Sequence, residues 1–198
     1  MTAWLERSSK VLLESPWLKV SCKSFELDNG ATIPEYYIIE KQDSAMAICY
    51  LEDEDRFILV RQYRPGVGKP TTCHPGGLLD ATDASPLKGA LRELLEETGY
   101  QAYKTVHLGS FAPAPAFWVN HVHMYLVYCR SVTRTAATPE PTEDLEIVSI
   151  ARTDLLSLVN SGEMDCIPCS LGSYRALEVL TQDSTAARIP VQTQNPGL

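Results

Sequence analysis

Between Ser85 and Gly99 the chain spells a helix that ends in three glutamates, Glu93, Glu96 and Glu97, on one face. Residues three and four apart meet on a helix surface, so these carboxylates crowd together, and each like-charge pair costs about 0.2–0.5 kcal/mol on an exposed helix. A divalent cation turns that penalty into affinity, because Mg²⁺ takes hard carboxylate oxygens together with waters and substrate phosphates. Both ends of the helix are marked. Ser85 can cap the first turn, Pro86 suits the first helical position, and Gly99 is placed to close the far end in a left-handed turn. At 100° per residue, Leu87, Ala90, Leu91 and Leu94 fall together and the glutamates occupy the adjacent arc, so one side can pack while the next holds metal. Upstream, Pro75-Gly76-Gly77 is expected to be a loop whose glycines let backbone come close to a ligand or metal. Glu-x-x-Glu-Glu alone is more often a solvated acidic face, so the rest of the chain has to decide.

With 198 residues and 44% hydrophobic content, the chain can bury the core of one domain with a small appended subdomain. Its start lacks a basic stretch followed by an apolar run, and no segment approaches the roughly 18 apolar residues needed to span a bilayer. A soluble, unexported, cytoplasmic protein is expected. The net charge of −8, with no basic run, argues against nucleic acid or an anionic membrane as the main partner. Substrate phosphate must then be met by bound metal and a few local arginines. Of the six cysteines only Cys166-Ile-Pro-Cys169 has ligand-like spacing. A zinc site would need a second ligand pair, so reduced thiols are the expectation. No serine or cysteine near the four histidines sits in a nucleophile signature, and His121 and His123 alternate as structural residues of a strand.

The region before the helix is strand-like. Residues 18–27 and 33–41 flank Asp28-Asn29-Gly30, a strong hairpin signal, and residues 1–41 are expected to form a small β subdomain. Residues 45–51 and 57–62 make a second hairpin around the acidic turn 52–55. Further strands are expected at 105–111, 120–129 and 144–151, then helices at 153–162 and 170–182, and a polar, frayed tail over 183–198. This order predicts an α/β fold, an α/β/α sandwich with a mixed sheet over 42–182.

Arg92-Glu93-Leu94-Leu95-Glu96-Glu97-Thr98-Gly99-Tyr100 resembles, at every position, the second half of the signature of the Nudix hydrolases. The first half departs from that pattern: Asp83 stands where glutamate is expected, and the loop before Arg92 is one residue longer. Asp83 is therefore assigned to the loop or the pre-cap turn. Outside the box, residues 59–65, Pro75-Gly76-Gly77, Leu108-Gly109, residues 143–147 and Ser161-Gly162-Glu163 resemble, in order and spacing, the ADP-ribose pyrophosphatase branch of the family. Two stretches differ from it, Cys73-His74 before Pro75 and the Ala112 to Trp118 loop, and both bear on substrate preference.

The resemblance implies a site. Glu93 and Glu97 are the first metal ligands, with Glu96 third and the Gly76 carbonyl as a backbone ligand, for Mg²⁺ or Mn²⁺. Glu143 matches the branch's late-loop glutamate that serves as base, with Glu146 in reserve, and Arg92 orients a box carboxylate. Arg61 and Arg64 can offer forked donors to phosphate or serve as strand-edge charge. Trp17 and Tyr36 fall where the branch stacks adenine, or else pack within the subdomain, and Phe117 with Trp118 can shape a pocket over the terminal sugar. The branch is a homodimer whose N-terminal subdomain reaches the partner's site. The implied reaction is hydrolysis of a nucleoside diphosphate sugar, ADP-ribose first and GDP-mannose or another nucleotide sugar second, against the alternative of a non-catalytic nucleotide-binding module.

Overall fold

The alternation on either side of Asp28-Asn29-Gly30 folds as a hairpin whose turn closes when Leu27 N–H donates to Ala31 O at 2.9 Å. The computed structural model describes residues 3–139 and 141–186. Strands β1 (Leu5–Glu14), β2 (Lys19–Glu26) and β3 (Thr32–Glu40) form a three-stranded antiparallel sheet in that order. Every residue of β1 is exposed, Leu5, Val11, Leu12 and Leu13 included. On this sheet Trp4, Phe25 and Tyr36 meet edge-on, the last two with ring centroids 5.7 Å apart. β3 is tied to the main body, since Ile39 N–H donates to Phe117 O at 2.7 Å and Val119 N–H returns to Ile39 O at 3.0 Å.

The second sheet contains β4 (Ser44–Leu51), β5 (Arg56–Arg64), β6 (Lys69–Cys73), β7 (Gly76–Leu78), β8 (Lys104–Phe111), β9 (Val122–Cys129) and β10 (Leu145–Ala151). Its path is β10-β5-β4-β9-β8, with β6 added to β5 and β7 to β4. β4 and β9 are parallel and the remaining pairs antiparallel, which makes the sheet mixed. Helix α1 (Pro86–Thr98) covers one face, and α2 (Leu155–Asn160) and α3 (Ile167–Ala186) cover the other. The period of two along β4 explains this layering. Met46, Ile48 and Tyr50 enter the core shared with α2 and α3, while Ala45, Ala47, Cys49 and Leu51 lie under Ala90 and Leu94 of α1. Small residues on that second face let the helix approach closely.

Several elements differ from the sequence-based expectations. The stretch at 75–77, expected to be a loop, runs into β7, and β6 was not predicted, because strands of three and five residues rich in Gly and Pro carry no alternation to read. α3 begins at Ile167 rather than Ser170, since Pro168 sits in the first turn, where its missing N–H costs nothing. It also continues past residue 182, so Asp183 is helical and accepts from Tyr128 Oη at 3.0 Å and Lys104 Nζ at 3.3 Å. The remainder of the expected tail, 187–198, lies outside the described residues. No described helix is long and apolar enough to cross a membrane.

Candidate active site

Ser85 caps α1 through its hydroxyl, which accepts Lys88 N–H at 3.3 Å, and Gly99 ends the helix with its N–H donating to Leu95 O at 2.9 Å. With Ala90 and Leu94 fully buried against β4, helical spacing carries Glu93 and Glu97 to the rim of the buried stripe, where they are 8% and 4% exposed. β7 fixes both. Glu97 Oε2 accepts Gly76 N–H at 3.0 Å, and a Cβ at Gly77 would stand 2.5 Å from Glu93 Oε1, so a side chain there would make that carboxylate shift. Gly76 itself has φ 152°, and a side chain there would collide with Ala45 O.

Glu143, in the turn before β10, completes the group. One oxygen from each of Glu93, Glu97 and Glu143 lies within 4.8 Å of the others. Glu96 goes elsewhere. Its Oε2 accepts Arg92 Nη1 at 3.0 Å, and the same nitrogen reaches Glu93 Oε1 at 3.1 Å. The far side of the guanidinium is gripped by Asp83, Nε to Oδ1 at 3.2 Å and Nη2 to Oδ2 at 3.0 Å. Asp83, assigned from sequence only to a loop or pre-cap turn, therefore anchors the arginine that steadies Glu93. Its own carboxyl is held below the usual range, mainly by that bond.

The electrostatics leave the group short of positive charge. Burial, then repulsion from Glu93 and Glu143, pushes the Glu97 carboxyl up to about 8 against the pull of the Gly76 N–H and Arg64. Burial raises Glu93 as well, opposed by Arg92. Two buried carboxylates and a third beside them, all oxygen donors, fit a hard divalent cation and match Mg²⁺ or Mn²⁺ better than a thiophilic ion.

Gly76 and Gly77 also line a cavity of about 820 Å³ together with Met46, Arg64, Phe117 and Trp118. Arg61 is absent from that lining. It is three residues from Arg64 on β5, on the opposite face, exposed and in register with Glu146 of β10. Tyr36 lines a smaller cavity with Ala116 and Phe117, and its hydroxyl donates to Ala116 O. Trp17, in the β1–β2 turn, is 71% exposed and lines neither cavity. His123 pairs with Asp43 at 3.1 Å, outside the cavity. One grouping was only half visible in the sequence, through the spacing of Cys166 and Cys169. Cys73 at the end of β6 joins Cys166 and Cys169, with their sulfurs mutually within 4.8 Å. Only the last two are near one another in sequence.

A model of the NUDIX domain matches residues 41–163. ADP-ribose pyrophosphatase of Bacillus subtilis is 32% identical over 139 residues, 70% of this chain and 74% of that protein. GDP-mannose pyrophosphatase of Yersinia enterocolitica is 25% identical over 176 residues, 83% of this chain and 90% of that one. A solved ADP compounds hydrolase shares the fold, with a TM-score of 0.80 at 18% identity over 92% of this chain and 97% of its own. The chain belongs to the Nudix family of hydrolases. Within the family it is similar to the ADP-ribose pyrophosphatases, and its α/β/α sandwich is the fold of that solved hydrolase.

Proposed function

We propose that the protein hydrolyses the diphosphate bond of a nucleoside diphosphate sugar in a Mg²⁺- or Mn²⁺-dependent reaction, with ADP-ribose and water giving AMP and ribose 5-phosphate. The carrying observation is the gathering of Glu93, Glu97 and Glu143 next to a cavity whose walls include Gly76, Gly77 and Arg64. Glu93 and Glu97 hold the cation, with the Gly76 carbonyl as a further donor, and Glu96 supports Arg92 in place of ligating. A divalent cation bound there neutralises diphosphate oxygens and polarises the attacking water. Arg92, clamped by Asp83, keeps the Glu93 carboxylate in place. Arg64 offers its guanidinium to the substrate diphosphate. Glu143 accepts the proton that the water gives up, and Glu146, on the exposed side of β10, stays in reserve. Phe117 and Trp118 close over the sugar end.

The exposed apolar residues of β1 support a homodimer in which the three-stranded sheet packs on a second copy and brings Trp17 to the partner's cavity. GDP-mannose is the second reading, favoured by the match to a GDP-mannose pyrophosphatase over 83% of the chain. A panel of nucleotide sugars with Mg²⁺ or Mn²⁺, the products read by mass, tests the proposal. Turnover of ADP-ribose to AMP and ribose 5-phosphate ahead of GDP-mannose supports it, and no hydrolysis of any member with either ion would reduce the protein to a binding module.

A further inference from the structure

We propose that Cys73, Cys166 and Cys169 form a second metal site, which takes Zn²⁺ through three thiolates with its fourth position facing the cavity. The three sulfurs lie mutually within 4.8 Å. In a tetrahedral zinc centre, Zn–S bonds of about 2.3 Å put sulfurs about 3.8 Å apart, so a small inward movement of each completes the site. Cys73 and Cys169 are 7% and 4% exposed and Cys166 is half-buried. All three line the large cavity, which leaves one side open to water, as a zinc ion with three protein ligands requires.

Packing alone accounts poorly for this convergence. A buried cysteine ordinarily acts as a small hydrophobe. Here three thiols from elements far apart in the chain converge on one corner of the cavity wall, the donor set that a soft cation seeks. The same wall holds a second indication. His74 follows Cys73, is 3% exposed, and binds Ser173 Oγ through Nε2 at 2.8 Å, while its Nδ1 has no hydrogen-bond partner. A buried polar atom without a partner is uncommon. The ring lines the same cavity as the three thiols.

Donor chemistry separates the two sites. Carboxylates select Mg²⁺ and Mn²⁺, whereas thiolates select Zn²⁺. Topology gives the thiol site a purpose, because Cys73 ends β6 while Cys166 and Cys169 flank the start of α3. An ion there staples the helix to the strand that leads through Pro75 into the Gly76-Gly77 clamp. Binding converts the neutral thiols to thiolates and releases their protons to solvent.

The test uses the untagged full-length chain, reduced and freed of metal, then titrated with ZnCl₂ or CoCl₂. Expected are one zinc per chain retained through gel filtration, proton release during the titration, and thiolate-to-cobalt charge-transfer bands in the near ultraviolet. These signals should persist in Glu97→Gln, which separates them from the carboxylate site, and vanish in Cys166→Ser, whose half-exposed position tolerates the change. Cys73→Ser serves as the second variant, and circular dichroism confirms that each is folded. Equal zinc in wild type and Cys166→Ser would overturn the site, as would cobalt spectra without sulfur bands. A disulfide between any two of the three in freshly purified protein would overturn it too. None of these readouts depends on nucleotide-sugar hydrolysis.

Discussion

The two sheets of this molecule are stabilised by different means. The mixed sheet buries both faces: β4 is buried from Ala45 to Leu51, with Ile48 at its centre, and Leu59 of β5, Leu126 of β9 and Leu94 of α1 are fully buried around it. Truncating any of these to alanine would cost about 2–5 kcal/mol. The three-stranded sheet has no such core. β1 is exposed throughout, and the aromatic cluster of Trp4, Phe25 and Tyr36 is its main internal packing. A layer that completes its own burial can hold charged groups in strained proximity, as Glu93 and Glu97 are held. A layer that does not is suited to meeting another body. On the proposed function, chemistry falls to the first sheet and recognition to the second, and substitutions should divide accordingly between kcat and KM.

The largest effect is expected at Glu97. Glu97→Gln should remove nearly all turnover, well beyond the roughly 10–100-fold lost when a group one step outside a metal's ligands is changed. The fold should survive, since the substitution also removes repulsion. The sign can be checked without substrate. With its carboxyl raised to about 8 from the ordinary 4.5, Glu97 holds a proton in the folded metal-free protein that it would release on unfolding. That contribution is fully present below pH 4.5 and is lost as pH rises through about 8. In EDTA, Tm should therefore fall from pH 5 to pH 8 in the wild type, less so in Glu97→Gln, and added Mg²⁺ should counter the fall. A wild-type Tm that rises over this interval in EDTA would contradict the crowding.

Glu143 comes next. Glu143→Gln should lower kcat by about 10²–10⁴-fold with KM and metal affinity little changed, because a base acts in the transition state. Glu146→Gln should be mild, its side chain being on the exposed face of β10 opposite Arg61. The reverse ranking would move the base three residues along the chain.

How much of this could be read from sequence follows the distance over which each signal acts. α1 was legible because its caps, its apolar stripe and its glutamates all repeat within a few residues. The Arg92–Glu96 pair was legible too: the two stand four apart, the spacing of a helical ion pair, and the same guanidinium nitrogen bridges Glu96 to Glu93. Arg61 and Arg64 could have been separated by strand alternation alone, since three residues reverse the face. Glu143 needed the family resemblance, because nothing local links a loop acid to a helix far upstream. The thiol cluster was visible only as the spacing of Cys166 and Cys169, since Cys73 reaches them only once β6 has paired with β5 and α3 has crossed the sheet. β7 was hidden for a related reason: three residues cannot show a period, yet its Gly76 N–H binds Glu97 and its Gly77 lies against the Glu93 carboxylate.

Removing residues 1–41 tests the recognition half of the comparison. The truncated chain should run as a monomer by light scattering, still bind Mg²⁺, and show KM for ADP-ribose raised by about tenfold or more, a loss of at least 1.4 kcal/mol of substrate binding. Part of that loss can come from the chain's own loop, because Ile39 holds Phe117 and Val119 by backbone hydrogen bonds. A monomeric wild type with full activity would reassign the sheet as a lid on its own cavity.

The smallest effect, and the sharpest, is expected from Trp17→Ala. Stacking of one base on an aromatic ring contributes about 1–3 kcal/mol. Trp17 is 71% exposed and lines neither of the two cavities described, so in the proposed dimer it stacks on the partner's substrate with the ring still partly in water. The low end of that range then applies, and KM should rise about fivefold at unchanged kcat. The protein should remain dimeric, which separates loss of the stack from loss of the interface. A mixing experiment isolates the shared site. Heterodimers that pair Trp17→Ala with Glu97→Gln hold two unlike cavities: one keeps Glu97 and faces the partner's Trp17, the other has lost both. Half of the wild-type kcat at wild-type KM is therefore expected from the mixture's heterodimer. Half of the kcat at the raised KM would mean that Trp17 serves the cavity of its own subunit.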